Sequence, residues 1–157
     1  MWSDRVIGTR MSGNATTLTR FASATVARLA TVGSAGQPHL VPITFALVDE
    51  STLVTAVDHK PKRTTALRRL QNIEANPRVS VLVDHYEDDW ERLWWVRADG
   101  LARVCKAAPA GAAEALVERY AAYRERPPGG PFIVVEIQRF SGWSAAYSHD
   151  GSNPLQQ

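Results

Sequence analysis

A chain of 157 residues, 45% of them hydrophobic, is long enough to fold around one core and too short for two comfortable ones. With 18 Lys and Arg against 16 Asp and Glu, its net charge of +2 argues against the broad basic face of a nucleic-acid binder. No apolar run approaches the roughly 18 residues that cross a bilayer and no charged-then-apolar leader opens the chain, so a soluble, cytoplasmic protein is expected.

Residues 1–15 lack clear periodicity and are expected to form a flexible arm, although a short helix over about 16–23 fits the pattern that follows. The stretch "TVARLATVGSAGQPHLVPITFALVDESTLVTAV" then gives three runs rich in β-branched residues, 25–32, 39–48 and 52–57, separated by short turns. Short turns between neighbouring runs favour antiparallel strands over βαβ units. Pro42 inside the second run has no N–H to give a ladder, so that strand has an edge, a bulge or a ligand there.

In "DHKPKRTTALRRLQNIEANPRV" the basic residues Lys60, Lys62, Arg63, Arg68, Arg69 and Arg78 crowd one segment. Pro61 suits a first helical position, Ala66, Leu67, Leu70 and Ile73 share one face, and Asn76-Pro77 ends the pattern, so the spacing predicts a helix over 61–75. "RVSVLVD" (78–84) is a strand, and "RLWWVRADGLARVCK" (92–106) is a longer strand bent near Gly100. A second helix is predicted from Pro109, burying Ala113, Leu116, Val117 and Tyr120, and 132–146 is the last strand. Residues 148–157 read as a flexible tail, leaving 16–147 as the domain. The expectation is therefore an α+β, mainly β protein of six antiparallel strands with two or three helices, enough strands to close a small barrel.

Lys60, Lys62 and Arg63 sit at the start of the helix, where the backbone dipole is already positive and cations are mildly destabilising. One reason for that placement is an anion held by the free N–H groups of the first turn together with the cations. The alternatives are an ordinary solvated charge run or, less in keeping with the net charge, nucleic acid. On a helical wheel Lys62 and Arg69 border the apolar stripe, whereas Arg68 points away and is expected to be solvated.

Other chemistry is sparse. Cys105 is alone and is expected as a small core residue. His39, His59, His85 and His149 match no metal-binding spacing, so no metal is expected, and Asp88 and Asp89 read as solvated loop acids. Trp94 and Trp95 must point to opposite faces of one strand, one inward and one free to pack on a ligand or a subunit.

The order of "GQPHLVPITFALVDESTLVTAV", the basic "DHKPKRTTALRRLQNIEANPRVSVLVD" and a Trp-containing strand resembles the split-barrel flavin and deazaflavin oxidoreductases, the superfamily of pyridoxamine 5'-phosphate oxidase. The likeness spans about residues 20–145 and is nearest the branch that uses coenzyme F420. It implies a six-stranded antiparallel split β-barrel that forms a homodimer with cofactor sites at the interface. It also implies that His39, Val41, Pro42 and Ile43 line the cofactor ring, with Thr55 and Ala56 on the next contacting strand. Lys60, Lys62, Arg63 and Arg69 would hold its phosphate or acidic tail, and Trp94, Trp95 and Trp143 would come near the pocket. The ending "RFSGWSAAYSHDGSNPLQQ" lacks the Trp-Arg closure of the vitamin B6 oxidases, so that reaction is not expected.

The implied activity is hydride transfer from reduced F420 to a small conjugated acceptor such as a quinone or enone. An FMN-dependent oxidase or flavin reductase of the same fold, and a non-catalytic module that binds a cofactor or tetrapyrrole, are the rival readings.

Overall fold

The computed structural model describes residues 14–57 and 63–145. The expected arm up to Gly13, the basic residues Lys60 and Lys62, and the expected tail 148–157 lie outside them. In chain order the elements are α1 (Asn14–Ser23), β1 (Ala27–Val32), β2 (Pro38–Ile43), β3 (Ala46–Asp49), β4 (Thr52–Ala56), α2 (Arg63–Ala75), β5 (Arg78–His85), β6 (Trp94–Cys105), α3 (Ala112–Arg119), α4 (Ala121–Glu125) and β7 (Phe132–Ser144). A single 3-10 turn, Trp90–Arg92, precedes β6, started by Asp89, whose carboxylate accepts the Glu91 N–H.

All seven strands form one antiparallel sheet in the order β2-β1-β5-β6-β7-β4-β3. The expectation of six strands is corrected here. The run expected over 39–48 is two strands, β2 and β3, which lie at opposite edges of the sheet. Only Thr44 and Phe45 separate them. Three Cα steps reach at most about 11 Å, so the sheet must curl until its two edges meet at this corner. No ladder joins β2 to β3, and the barrel stays open.

The corner is pinned from the far end of the chain. Phe45 is fully buried, packs on Phe21 of α1 at 5.3 Å between ring centroids, and lies 4.7 Å beneath the guanidinium of Arg119. The Arg119 side chain also donates to the Ala24 carbonyl. Tyr123 shares a hydrogen bond with the Thr44 hydroxyl at 3.2 Å. Tyr120 binds both backbone groups of Phe45, and for that it leaves helical geometry (φ −118°, ψ 120°), breaking the expected second helix into α3 and α4. The helix buries Ala112 and Leu116, one position off the expected Ala113.

Two apolar cores result. The larger lies inside the curl, where Leu29, Val81, Val83, Val96 and Ala98 meet Phe21 of α1 and Ile73 of α2. The smaller lies under α3, where Ala112 and Leu116 cover Val54, Phe132 and Val134. β4 and the start of β7 are covered on both sides, which explains runs such as "FIVV" in place of alternation. Full burial of each such side chain contributes roughly 1.5–3 kcal/mol. β6 bends where expected, with a bulge between Asp99 and Gly100. A Cβ at residue 100 would stand 2.3 Å from the Glu136 carbonyl oxygen, so the bulge requires glycine.

Candidate functional site

β2 is an edge strand, as Pro42 foreshadows. Its partner is β1, with Arg28 opposite Pro42, Ala30 opposite Leu40 and Val32 opposite Pro38. A proline has no amide hydrogen, so positions 38, 40 and 42 turn their backbone groups away from β1 towards the open rim. That rim carries three carbonyls but only the Leu40 N–H as donor.

Past the corner, the Thr55–Ala56 end of β4 continues alongside Phe45 and Thr44, since Ala46 pairs with Val54. Both Thr55 and Ala56 are buried, so they form floor beneath the corner and not ligand-facing surface. α2 begins seven residues after β4 ends, with Arg63 as its first residue; the Arg63 side chain lies outside the described residues. α2 packs on β1 and β6, burying Ile73 and leaning Leu70 on the core. The structure thus places the β2 rim and β4 on either side of the Thr44–Phe45 corner, and α2 over β1 and β6.

His39 points to the α2 side of β2, opposite Thr31 of β1. Partial burial, then the guanidiniums of Arg68 and Arg69, push its pKa below the ordinary 6.5, so the ring is neutral at neutral pH. Its Nδ1 is buried with no hydrogen-bond partner among the described residues. Arg69 is therefore close enough to the His39 ring to act on its charge. Arg68 is exposed, as the helical wheel says, yet it also lines a hollow with His39. The signal for this was present: Arg68, Gln71, Asn72 and Ala75 recur at i, i+3, i+4 and i+7, a polar stripe beside the apolar one.

On the opposite face of the sheet, Trp95 stands directly across from Trp143. Trp95 lines a shallow groove of about 480 Å³ with Arg28, Leu40, Leu82, Tyr86 and Arg97. Leu40 is 66% exposed and Tyr86 63%, large for apolar groups on one face. Asp84 pairs with Arg28 at 3.2 Å and closes one end of the groove. Beyond the other end Asp99 accepts from Ser80 at 2.6 Å and pairs with Arg97 and Arg139, each at 3.0 Å. The Trp143 Nε1 is a buried donor with no partner among the described residues.

Trp94 takes the inner face, packs on the core, stacks on His85 and lies under Arg20 at 5.1 Å. The three tryptophans are therefore split between faces, and Trp94 is not brought to the groove. No cluster of three or more His, Cys, Asp or Glu side chains among the described residues could hold a metal ion, and none of the described helices is long and apolar enough to cross a membrane.

Residues 14–144 match the family model described as pyridoxamine 5'-phosphate oxidase. No curated protein matches the chain by sequence. Among solved structures, the chain is similar to a conserved hypothetical protein of Mycobacterium tuberculosis (22% identity, 91% of each chain covered, TM-score 0.65). It is also similar to an FAD-binding protein of Mesorhizobium loti (24% identity, 82% of this chain and 91% of that one, TM-score 0.57). A heme-binding protein of Mycobacterium smegmatis shares the fold as well (22% identity, 87% of this chain and 59% of that one, TM-score 0.61).

Proposed function

The chain belongs to the pyridoxamine 5'-phosphate oxidase family, and from that premise we propose that it is a homodimeric oxidoreductase that binds a flavin-type cofactor at the β2–β4–α2 corner, specifically the deazaflavin F420. The observation that carries this reading is the open rim of β2, where Leu40 presents its C=O and N–H between two prolines. The pyrimidine edge of flavins and deazaflavins carries one N–H flanked by carbonyls, and a planar ring laid along the rim would give that N–H to the Leu40 carbonyl and accept the Leu40 N–H. When bound, the cofactor supplies the hydride, and the acceptor is a small flat conjugated molecule such as a quinone or enone.

The chain's own residues then have modest tasks. Val41 and Ile43 lean on the core and hold β2 rigid, so the rim keeps its position. Thr55 and Ala56 seal the floor against water. Lys60, Lys62 and Arg63, with Arg69 beside them, would grip the cofactor's phosphate or acidic tail, adding binding energy remote from the reacting carbon. A second copy of the chain would cover the groove around Trp95, and Trp143 would come close to the cofactor from that side.

A second reading is favoured by the groove itself. An apolar, Trp-walled face flanked by Arg28 and Arg97 also suits a tetrapyrrole bearing carboxylates, in keeping with the heme-binding neighbour. Side-by-side titration of the purified protein with F420, FMN, FAD and hemin tests the choice. Retention of the deazaflavin through gel filtration, with turnover of the reduced form by a quinone, is the expected result. Exclusive retention of FMN, FAD or hemin would overturn the F420 assignment.

A further inference from the structure

The hollow between the β1–β2 turn and the second half of α2 has its own chemistry. It measures about 200 Å³ and is walled by Gly33, Ser34, Gln37, His39, Arg68 and Asn72. Among the described residues no carboxylate lines it and Arg68 forms no ion pair.

The walls are fixed. Asn72 Nδ2 donates to the buried Thr31 hydroxyl at 3.0 Å, tying α2 to β1. A Cβ at residue 33 would come within 2.6 Å of Asn72 Oδ1, so Gly33 lets the turn close this tightly on the helix. Gln37 is anchored by its donation to the Pro38 carbonyl at 3.2 Å. Into this frame projects His39, whose Nδ1 is buried and has no partner among the described residues. The rest of the ring lines the hollow.

We propose that this hollow is a small-oxyanion site, taking a phosphate or carboxylate group between the Arg68 guanidinium and the His39 imidazole. An anion there meets a delocalised cation and a ring nitrogen that donates once the imidazole is protonated. It sits at the Arg68 end, because the terminal carbonyls of α2 near Ala75 repel negative charge.

A proton enters with the anion. Among the described residues, the charged groups acting on the imidazole are Arg68 and Arg69 of α2, while β1 offers Thr31 opposite it, which does not titrate. Both guanidiniums oppose protonation, and a bound anion offsets them. Binding therefore strengthens as pH falls through the ordinary histidine range. The site lies on a different stretch of α2 from the helix start and does not depend on which cofactor the protein holds.

The test is an NMR titration of the His39 ring in the cofactor-free protein, with inorganic phosphate or acetate added against chloride at constant ionic strength. The expected result is a saturable rise of the His39 pKa by about 1 unit, the usual effect of a close opposite charge. It should vanish in Arg68→Gln and persist in Arg126→Gln, an exposed control on α4's far end. Persistence in Lys60→Ala/Lys62→Ala keeps this site separate from the cofactor grip, so a failed cofactor assignment leaves it standing. An unchanged His39 pKa, or an equal rise in Arg68→Gln, overturns the proposal. Acetate acting alone would mark a carboxylate source, and phosphate alone a phosphoryl one.

Discussion

The hydroxyl of Tyr120 accepts the backbone N–H of Phe45 at 3.0 Å and shares its own proton between the carbonyls of Phe45 at 2.9 Å and Thr25 at 3.0 Å. One side chain thus satisfies the residue at which the two edges of the sheet meet. Tyr120→Phe keeps the ring and leaves the Phe45 N–H without its acceptor. The expected loss is about 1–3 kcal/mol in urea unfolding. Tyr123→Phe, which removes the longer contact to Thr44, should cost about 0.5–1.5 kcal/mol. Equal stability of Tyr120→Phe and the parent would mean the corner is held by packing alone.

Gly100→Ala should be far more damaging than its size suggests. The added methyl meets backbone, the Glu136 carbonyl, and cannot be accommodated by turning a side chain. Roughly 1–3 kcal/mol or more of stability should vanish, read as a drop in Tm with no change in the far-UV spectrum of the folded state.

His39 and Asp99 tie stability to pH, both in the same direction. His39 has a folded pKa below 6.5 because burial, Arg68 and Arg69 oppose its charge, so the unfolded chain binds the proton first. Its contribution is intact above pH 6.5 and is lost as pH falls towards the folded value; His39→Gln should flatten that part of the stability curve. Burial alone would raise the Asp99 pKa, but Ser80, Arg139 and Arg97 outweigh it and hold the carboxyl below the ordinary 3.8. Its stabilisation is present above that value and disappears as pH falls through the folded pKa, and Asp99→Asn should make the acid limb shallower. Urea titrations at stepped pH check both slopes.

On the cofactor side, Lys60→Ala and Lys62→Ala should each weaken F420 binding by about 1.5–3 kcal/mol and reduce its salt sensitivity. The control is Arg126→Ala, which should change neither. Fluorescence titration at two salt concentrations reads this directly, and parent-like affinity in both lysine variants would remove them from the site.

If a second copy covers the outer groove, Leu40→Asp should split the dimer, because it places a charge amid Leu82, Tyr86 and Trp95. Sedimentation velocity is the measurement; a monomeric parent would overturn the assignment before any variant is made.

Much of this architecture was legible from residue order. Periodicity located α1 and α2, and Pro42 marked an edge. Gly100 marked a bend, and the alternation of Trp94 and Trp95 divided the two faces. The strand switch at Thr44–Phe45 was not legible, since neither residue interrupts a β-rich run and the cause lies in Arg119, Tyr120 and Tyr123, more than seventy positions downstream. The break at Tyr120 has the same origin: a residue suited to the helix is drawn out of it by a backbone partner that local sequence cannot reveal. Arg68 was misjudged in part because a helical wheel reports direction relative to the core, and not what a neighbouring turn brings over the helix surface.

The prolines of β2 have a further consequence for the chain in crowded solution. An open strand edge is a template on which partly unfolded chains add and grow. With Pro38 and Pro42 on the rim, an incoming strand finds one amide where it needs several. At the other edge β3 is only four residues long, and its pairing is disrupted between Leu47 and Asp49. Both margins of the sheet are thus poor seeds for fibril growth, and replacing Pro38 and Pro42 with Val would trade that protection for a longer, better-paired strand.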